Sequence, residues 1–170
     1  MSAEGFVTIE SGLVMYEEEF ERISSILNRL RVDASAKIVF LVDKNGQQIA
    51  GAGEIDQIDT TSLASLTAGN VAATDGLAKL IGEKEFSILF HEGRKDNIHI
   101  SIVGQRLILV VIFDERSSLG LVRLRVRKAA SEVERVLSQM EEKAREIGAA
   151  DVASPFAEIT DEDIDALFSE

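Results

Sequence analysis

The chain has 170 residues, 45% of them hydrophobic, no cysteine and a formal net charge of -12. It has no apolar run long enough for a membrane helix, no secretory signal at its start, and no thiol for disulfides, metal sites or nucleophilic catalysis. The acidic balance argues against nucleic acid as the main partner, because phosphate recognition needs clustered lysine and arginine. We therefore expect a cytoplasmic protein with one main domain and an appendage.

The N-terminal part of the chain divides at about residue 13. Residues 1–12 show no periodicity and are predicted to be a flexible lead, and the main domain is expected at 13–147. A first helix follows the lead, because apolar residues recur at steps of three and four. These residues are Tyr16, Phe20, Ile23, Leu27 and Leu30.

Five strands are predicted from short apolar runs that are bounded by turn residues. The dipeptide Asn45-Gly46 is a strong signal for a hairpin turn between the first two strands. The predicted strands span 36–43, 47–53, 86–91, 97–103 and 107–113. Together with three helices they predict a single α/β sandwich with a five-stranded, mostly antiparallel sheet.

The second predicted helix, at 59–82, carries two different stripes. Larger apolar residues are expected to form a core stripe, namely Leu63, Leu66, Leu77, Leu80 and Ile81. Small residues form a second stripe at steps of four, namely Ala64, Ala68, Ala72 and Gly76. The small stripe allows either loose packing on the chain's own sheet or a close approach by a second copy, a partner protein, or both.

A third long helix is predicted at 118–147, and a tail follows it. Arg123, Arg125, Arg127 and Lys128 form a local basic patch on this helix, which we interpret as a solvated face. Residues 148–158 contain the only proline and are predicted to be a linker. Residues 159–170 form an acidic amphipathic segment that is too short to be stable alone and is typical of a docking peptide. Its apolar residues are Ile164, Leu167 and Phe168.

The motifs of an enzyme are missing from the sequence. It has no phosphate-binding or dinucleotide-binding glycine loop, and its two histidines, His91 and His99, lack the spacing of metal ligands. Three arginines in predicted turns, Arg94, Arg106 and Arg116, are the candidates for an arginine finger, and each is interpreted as an ordinary surface residue. We expect an interaction module that has no active site and no cofactor.

The order helix-strand-strand-helix-strand-strand-strand-helix, with DTTSLASLTAGNVAATDGLAKLIG as the second helix, resembles the Roadblock family of small dimeric scaffold and regulator proteins. VMYEEEF, KIVFLVDKNGQ, LVVIFDERSSLGLVRLR and SPFAEITDEDIDALFSE resemble a bacterial branch of that family. That branch regulates a Ras-like GTPase in cell polarity and gliding motility. The resemblance implies a homodimer that stimulates GTP hydrolysis by reordering the switch regions of the GTPase, without supplying an arginine finger, and that can concentrate at a cell pole.

The resemblance also implies which residues carry these contacts. In the family the second helices lie antiparallel across the dimer, and the third strands pair into one continuous sheet. The dimer interface is then expected at Ala64, Ala68, Ala72, Phe86 and Ile88. The surface facing the GTP-bound GTPase is expected at Thr67, Ala68, Val71, Ala72, Asp75, Gly76 and Lys79. Ile164, Leu167 and Phe168 are expected to make a second contact with the GTPase.

Two alternatives stay open from the sequence. The same dimer could be a Roadblock adaptor that binds both nucleotide states equally and leaves GTP turnover unchanged. The tail sequence DEDIDALF also resembles a short acidic motif that binds response-regulator receiver domains, so the tail could recruit such a protein.

Overall fold

The computed structural model describes residues 6–9 and 13–152, with side chains at 15–148. In chain order the elements are strands Phe6–Ile9 (β1) and Leu13–Tyr16 (β2), helix Glu17–Asp33 (α1), strands Ile38–Asp43 (β3) and Gln48–Gly53 (β4), a 3-10 turn Ile55–Gln57, helix Thr60–Leu80 (α2), strands Ile88–Glu92 (β5), Asn97–Val103 (β6) and Leu107–Phe113 (β7), and helix Leu119–Val152 (α3). None of the helices in this part of the chain is both long and apolar enough to cross a membrane.

The residues form two compact units that divide within α3. The first unit ends at Val136 and holds both sheets, α1, α2 and the first part of α3. The second unit begins at Leu137, and its described residues continue α3 to Val152.

The main sheet has five strands in the order β4-β3-β7-β6-β5, and every neighbouring pair is antiparallel. This confirms the predicted sandwich and its sheet, with strand bounds within two residues of those expected. β3 and β7 lie inside the sheet and are buried at every position. Continuous burial means that both faces of these strands are covered, as their continuous apolar sequences predict.

Helix α2 covers one face of this sheet. Its buried residues pack against alternate residues of β3 and β7, such as Phe40 and Val110, which are paired across the two strands. Because side chains alternate along a strand, Val39, Leu41 and their neighbours in β7 point to the opposite face. The buried residues of α1 and of the first unit's part of α3 complete the core.

The turn between β3 and β4 follows the Asn45-Gly46 prediction. The buried side chain of Asp43 accepts hydrogen bonds through Oδ1 from the backbone N–H groups of Asn45, at 2.9 Å, and Gln47, at 3.0 Å. Gly46 has a φ of +90°, which an L side chain rarely adopts. A Cβ at Gly46 would also lie 3.1 Å from the Cα of Ser65 in α2, so this turn approaches the helix backbone closely.

The N-terminal prediction is wrong in part. Residues Phe6–Ile9, which were expected within the flexible lead, form β1 and pair antiparallel with β2. Tyr16 ends β2 in an extended conformation and stands immediately before α1, so the first helix begins one residue later than its apolar stripe suggests. A four-residue strand is too short to show a period, although Phe, Val, Thr and Ile all favour strands.

The predicted linker also differs from the structure. Helix α3 continues through Gly148 to Val152, so the first five residues of the expected linker at 148–158 are helical. One glycine in a helix costs only about 1 kcal/mol relative to alanine, and the alanines at 149 and 150 favour the helix. The rest of the linker and the segment 159–170 lie outside the described residues.

His99 in β6 is the one buried histidine among the described residues. Its side chain is 1% exposed, and neither ring nitrogen has a hydrogen-bond partner in that part of the chain. Burial lowers the pKa of His99, and the positive charge of Arg123 on α3 lowers it further. His99 therefore contributes to the core as a neutral side chain.

We expect acid to destabilise the domain through His99. The unfolded histidine titrates near about 6.5, above the lowered pKa of the folded state, so the unfolded state binds the proton first as pH falls. The stability is fully present above about pH 6.5 and decreases below it. The substitution His99→Leu should flatten the dependence of the thermal midpoint between about pH 7.5 and about pH 5.5. The exposed His91→Gln variant is the control and should retain the wild-type slope, whereas equal slopes for wild type and His99→Leu would contradict this role.

Candidate functional site

The start of helix α2 is held by Asp59. Its Oδ1 accepts a hydrogen bond from the backbone N–H of Ser62, at 3.1 Å, and its Oδ2 accepts one from the Ser62 hydroxyl, at 2.6 Å. These bonds from Ser62 lower the pKa of Asp59, because they favour the charged carboxylate. Asp59 is therefore the N-cap, one of three residues that the sequence offered for this role.

The inner face of α2 is built from small residues. Ala64, Thr67, Ala68, Val71 and Ala78 are the buried residues of the helix. Their short side chains let the helix lie close to the sheet and to the turn at Gly46. The expected roles of the two stripes are thus reversed for Ala64 and Ala68, which pack on the chain's own sheet and are not at the surface.

The outer face of α2 is apolar and exposed. Leu66, Leu77 and Leu80 are 72%, 59% and 83% exposed, and Ala73 lies between them on the same side of the helix. These leucines were expected in the core, so that prediction is wrong. Gly69 and Gly76 are also exposed, and a Cβ added at either would meet no atom within 4 Å. Contiguous exposed apolar surface of this kind marks an interaction site. We call Leu66, Gly69, Ala73, Leu77 and Leu80 the outer strip.

Four of the residues predicted to face the GTPase form a second strip beside the outer strip. Ala72, Asp75, Gly76 and Lys79 recur at steps of three, one and three, so they share one side of the helix. Three of them are exposed and Asp75 is half-buried. We call these four residues the side strip. It differs from the outer strip in carrying one acid and one base.

The other three residues predicted on α2 are not accessible in the structure. Thr67, Ala68 and Val71 are 5%, 9% and 4% exposed, and they belong to the inner face. They lie directly beneath the side strip and determine its position over the sheet. The structure therefore brings Ala72, Asp75, Gly76 and Lys79 together at the surface and separates them from Thr67, Ala68 and Val71.

Strand β5 extends this surface to the edge of the sheet. β5 is an edge strand and pairs only with β6. Phe86, just before β5, and Ile88 at its start are 36% and 48% exposed, so both predicted interface residues are accessible. A hydrogen bond of 2.9 Å joins Asn70 Nδ2 of α2 to His91 Nε2 of β5, which ties the helix to this edge. An exposed edge strand presents backbone groups for pairing with another chain.

Charged side chains elsewhere in the first unit have local roles. Arg116 donates from Nε to both carboxylate oxygens of Asp114, at 2.9 and 3.1 Å, and these bonds raise the pKa of Arg116 and lower that of Asp114. Arg94 is an exposed turn residue, and Arg106 lies in the turn before β7. No three potential metal ligands of the types His, Cys, Asp and Glu come together among the described residues. The described surface is suited to binding and not to chemistry.

Sequence reasoning missed the outer strip although a signal was present. Between Thr60 and Leu80 the only charged residues are Asp75 and Lys79, so the helix is apolar or small on nearly all sides. A helix of that kind must bury more than one face. Periodicity alone favoured the leucines for the core, because it carries no information about which face the sheet can accommodate.

Comparisons with known proteins agree with this architecture. The model of the Roadblock/LC7 domain matches residues 23–113. The structure of MglB from Myxococcus xanthus is 63% identical, covers 75% of this chain and 96% of its own, and superposes with a TM-score of 0.72. The gliding protein MglB from Thermus thermophilus is 31% identical over 77% of this chain and 99% of its own, with a TM-score of 0.72.

A further MglB structure, with a tetrameric arrangement, is 31% identical over 78% of this chain and 99% of its own, again with a TM-score of 0.72. None of the curated proteins compared with the chain matches it. The domain match covers more than half of the chain, and the identity to MglB extends over three quarters of it. The chain therefore belongs to the Roadblock/LC7 family and, within it, to the MglB proteins.

Proposed function

We propose that the chain is a GTPase-activating protein for the bacterial Ras-like GTPase MglA and that it acts in cell polarity and gliding motility. The observation that carries this proposal is the 63% identity to MglB from Myxococcus xanthus over 75% of the chain. The relative from Thermus thermophilus is itself described as a gliding protein. The proposed activity is regulatory and needs no cofactor, and the protein would work in the cytoplasm, concentrated at a cell pole.

The active form in this proposal is a homodimer. The outer strip gives α2 an apolar face that the chain's own sheet does not cover, and Gly69 and Gly76 leave room for a second backbone. The adjoining edge strand β5 can pair with its copy and extend the sheet. An MglB relative is known in a tetrameric arrangement, which supports self-association in this group.

The side strip is the proposed contact for GTP-bound MglA. Ala72 and Gly76 offer close approach, and Asp75 and Lys79 offer one charge of each sign. Thr67, Ala68 and Val71 support this surface from beneath. The dimer would bind the GTPase with reordered switch regions more tightly than it binds the other states, and this difference in affinity drives the change.

In this mechanism the GTPase supplies its own catalytic residues. An arginine finger contributed by a regulator must be free to reach the nucleotide phosphates. Arg116 is bonded to Asp114 through both carboxylate oxygens, which is consistent with a regulator that positions residues of the GTPase and contributes none of its own.

The C-terminal segment would make a second contact with the GTPase. Residues 159–170 lie outside the described part of the chain, so this proposal rests on their sequence. Ile164, Leu167 and Phe168 would be the apolar anchors, and the surrounding acids would steer the segment towards a basic surface.

The second candidate function is a Roadblock adaptor that does not change GTP turnover. The sequence DEDIDALF favours this reading, because it resembles an acidic motif that binds receiver domains. Such an adaptor would bind both nucleotide states equally. Its tail would bind a receiver domain with an affinity that depends on receiver phosphorylation.

GTP turnover by the cognate GTPase, measured with and without the protein, tests the proposed function. We expect stimulation of at least about tenfold, because ordering the catalytic residues of a GTPase has effects of this size or larger. Confirmed binding without stimulation would overturn the activator proposal and favour the adaptor.

The side strip is tested by Ala72→Arg, which places a long charged side chain where close approach is proposed. Stimulation of GTP turnover should fall at least about tenfold, as expected for a clash at the centre of an interface. The mass of the protein in solution should stay unchanged. Ser25→Arg on the exposed side of α1 is the matched control and should keep full activity. Full activity of Ala72→Arg would show that the GTPase binds elsewhere.

The dimer is tested by the double substitution Leu77→Glu/Leu80→Glu on the outer strip. Both side chains are exposed in the single chain, so folding should be retained, but association should weaken at least about a hundredfold, because each buried leucine contributes about 2 kcal/mol. Sedimentation equilibrium measures this change. Val32→Glu, at another exposed apolar residue, is the control. An unchanged mass for the double variant would place the dimer contact on another surface.

The tail contact is tested by replacing Ile164, Leu167 and Phe168 with alanine. We expect weaker binding of the GTPase in a titration, with an unchanged thermal midpoint, because the segment lies beyond the domain. Ser169→Ala is the control. Equal affinity of the triple variant and wild type would refute the second contact.

A further inference from the structure

Helix α3 carries a basic surface on a protein that is strongly acidic. Arg123, Arg127 and Lys128 are exposed, and Leu124 beside them is 61% exposed. No acidic residue occurs between Glu115 and Glu132, although the whole chain has a net charge of -12. We call Arg123, Leu124, Arg127 and Lys128 the basic face.

The acids nearest to the basic face do not neutralise it. Glu132 follows Lys128 by one turn, but its carboxylate is paired with Arg29 of α1. Within the described part of the chain, Arg123, Arg127 and Lys128 form no ion pair. The basic face is therefore three available charges around one exposed leucine, and it suits an acidic amphipathic segment.

The chain itself contains a segment with these properties. Residues 151–170 include seven acids and no base, and Ile164, Leu167 and Phe168 recur at helical spacing among them. Nucleic acid and anionic membranes fit less well, because the overall charge repels both and one leucine is a weak membrane anchor. We infer that the basic face of α3 binds the C-terminal segment 159–170 of a second copy of the chain.

The length of α3 indicates why the segment comes from a second copy. From Lys128 to Val152 the helix spans about 36 Å at 1.5 Å per residue. Residues 153–158 span at most about 22 Å even when they are fully extended. The segment 159–170 therefore cannot return as a helix to the basic face of its own α3. A neighbouring molecule has no such restriction.

This contact is independent of the proposed GTPase function, since it describes the protein without its partner. Occupied basic faces would link copies beyond those joined through α2, and they would withhold the C-terminal segments from other partners. A partner that binds the segment more tightly would release the link.

Carbodiimide cross-linking of the full chain tests this inference, because it joins the amine of a lysine to a carboxylate in contact with it. Protein labelled with 15N is mixed with unlabelled protein at low concentration, and the mixture is then concentrated and cross-linked. Mass spectrometry should find Lys128 joined to acids within 161–165, including pairs of one heavy and one light chain. The yield should fall at least about fivefold in high salt, which screens exposed charges.

Two variants separate a specific site from general attraction. Arg123→Gln/Arg127→Gln keeps Lys128 reactive and should lower the yield about tenfold, as expected when two of three paired charges are removed. Arg94→Gln/Lys95→Gln removes the same charge elsewhere and should leave the yield unchanged. Leu124→Ala should lower the yield without changing the charge.

Three results would overturn the inference. One is cross-linking of Lys128 only within single chains. Another is equal labelling of the exposed Lys44, Lys84 and Lys95 by the C-terminal acids. The last is an unchanged yield in Arg123→Gln/Arg127→Gln. None of these results bears on GTP turnover, so the proposed activity stands or falls separately.

Discussion

Helix α2 has small or apolar residues on two opposite faces, and the sheet can cover only one of them. The face with the smaller residues packs inward because the turn at Gly46 lies against the helix, where an added Cβ would be only 3.1 Å from the α2 backbone. Bulky leucines do not fit so close an approach, so Leu66, Leu77 and Leu80 remain outside. The candidate surfaces of the molecule follow from this packing arrangement.

The sheet provides a rigid base for these surfaces. β3 and β7 are buried at every position, and the polar groups in this core are few. β5 lies at the edge next to α2, so the outer strip and the exposed strand edge form one continuous candidate interface. The side strip adjoins this interface on the same helix, which explains how one helix can serve both a second copy and a partner protein.

Charge is distributed unevenly along the chain, and this matters for its contacts. The acids are concentrated at the C-terminus, whereas the first turns of α3 are basic and lack acids. The core is nearly free of charge, so these features affect stability little. They instead determine which molecules approach which surface, because exposed charges act mainly on encounter and specificity.

The order of elements, the five-stranded antiparallel sheet, the turn at Asn45-Gly46 and the cap at the start of α2 followed from local patterns, because short-range periodicity and turn chemistry determine them. The strand at Phe6–Ile9 and the helical residues after Gly148 did not, since short or glycine-containing stretches have no clear pattern. The sequence alone also determined that α2 has two apolar faces and that 159–170 is acidic and amphipathic. Only the tertiary structure decided that Ala64, Thr67, Ala68 and Val71 face inward and the leucines outward, because that choice depends on the distance between the helix and the sheet.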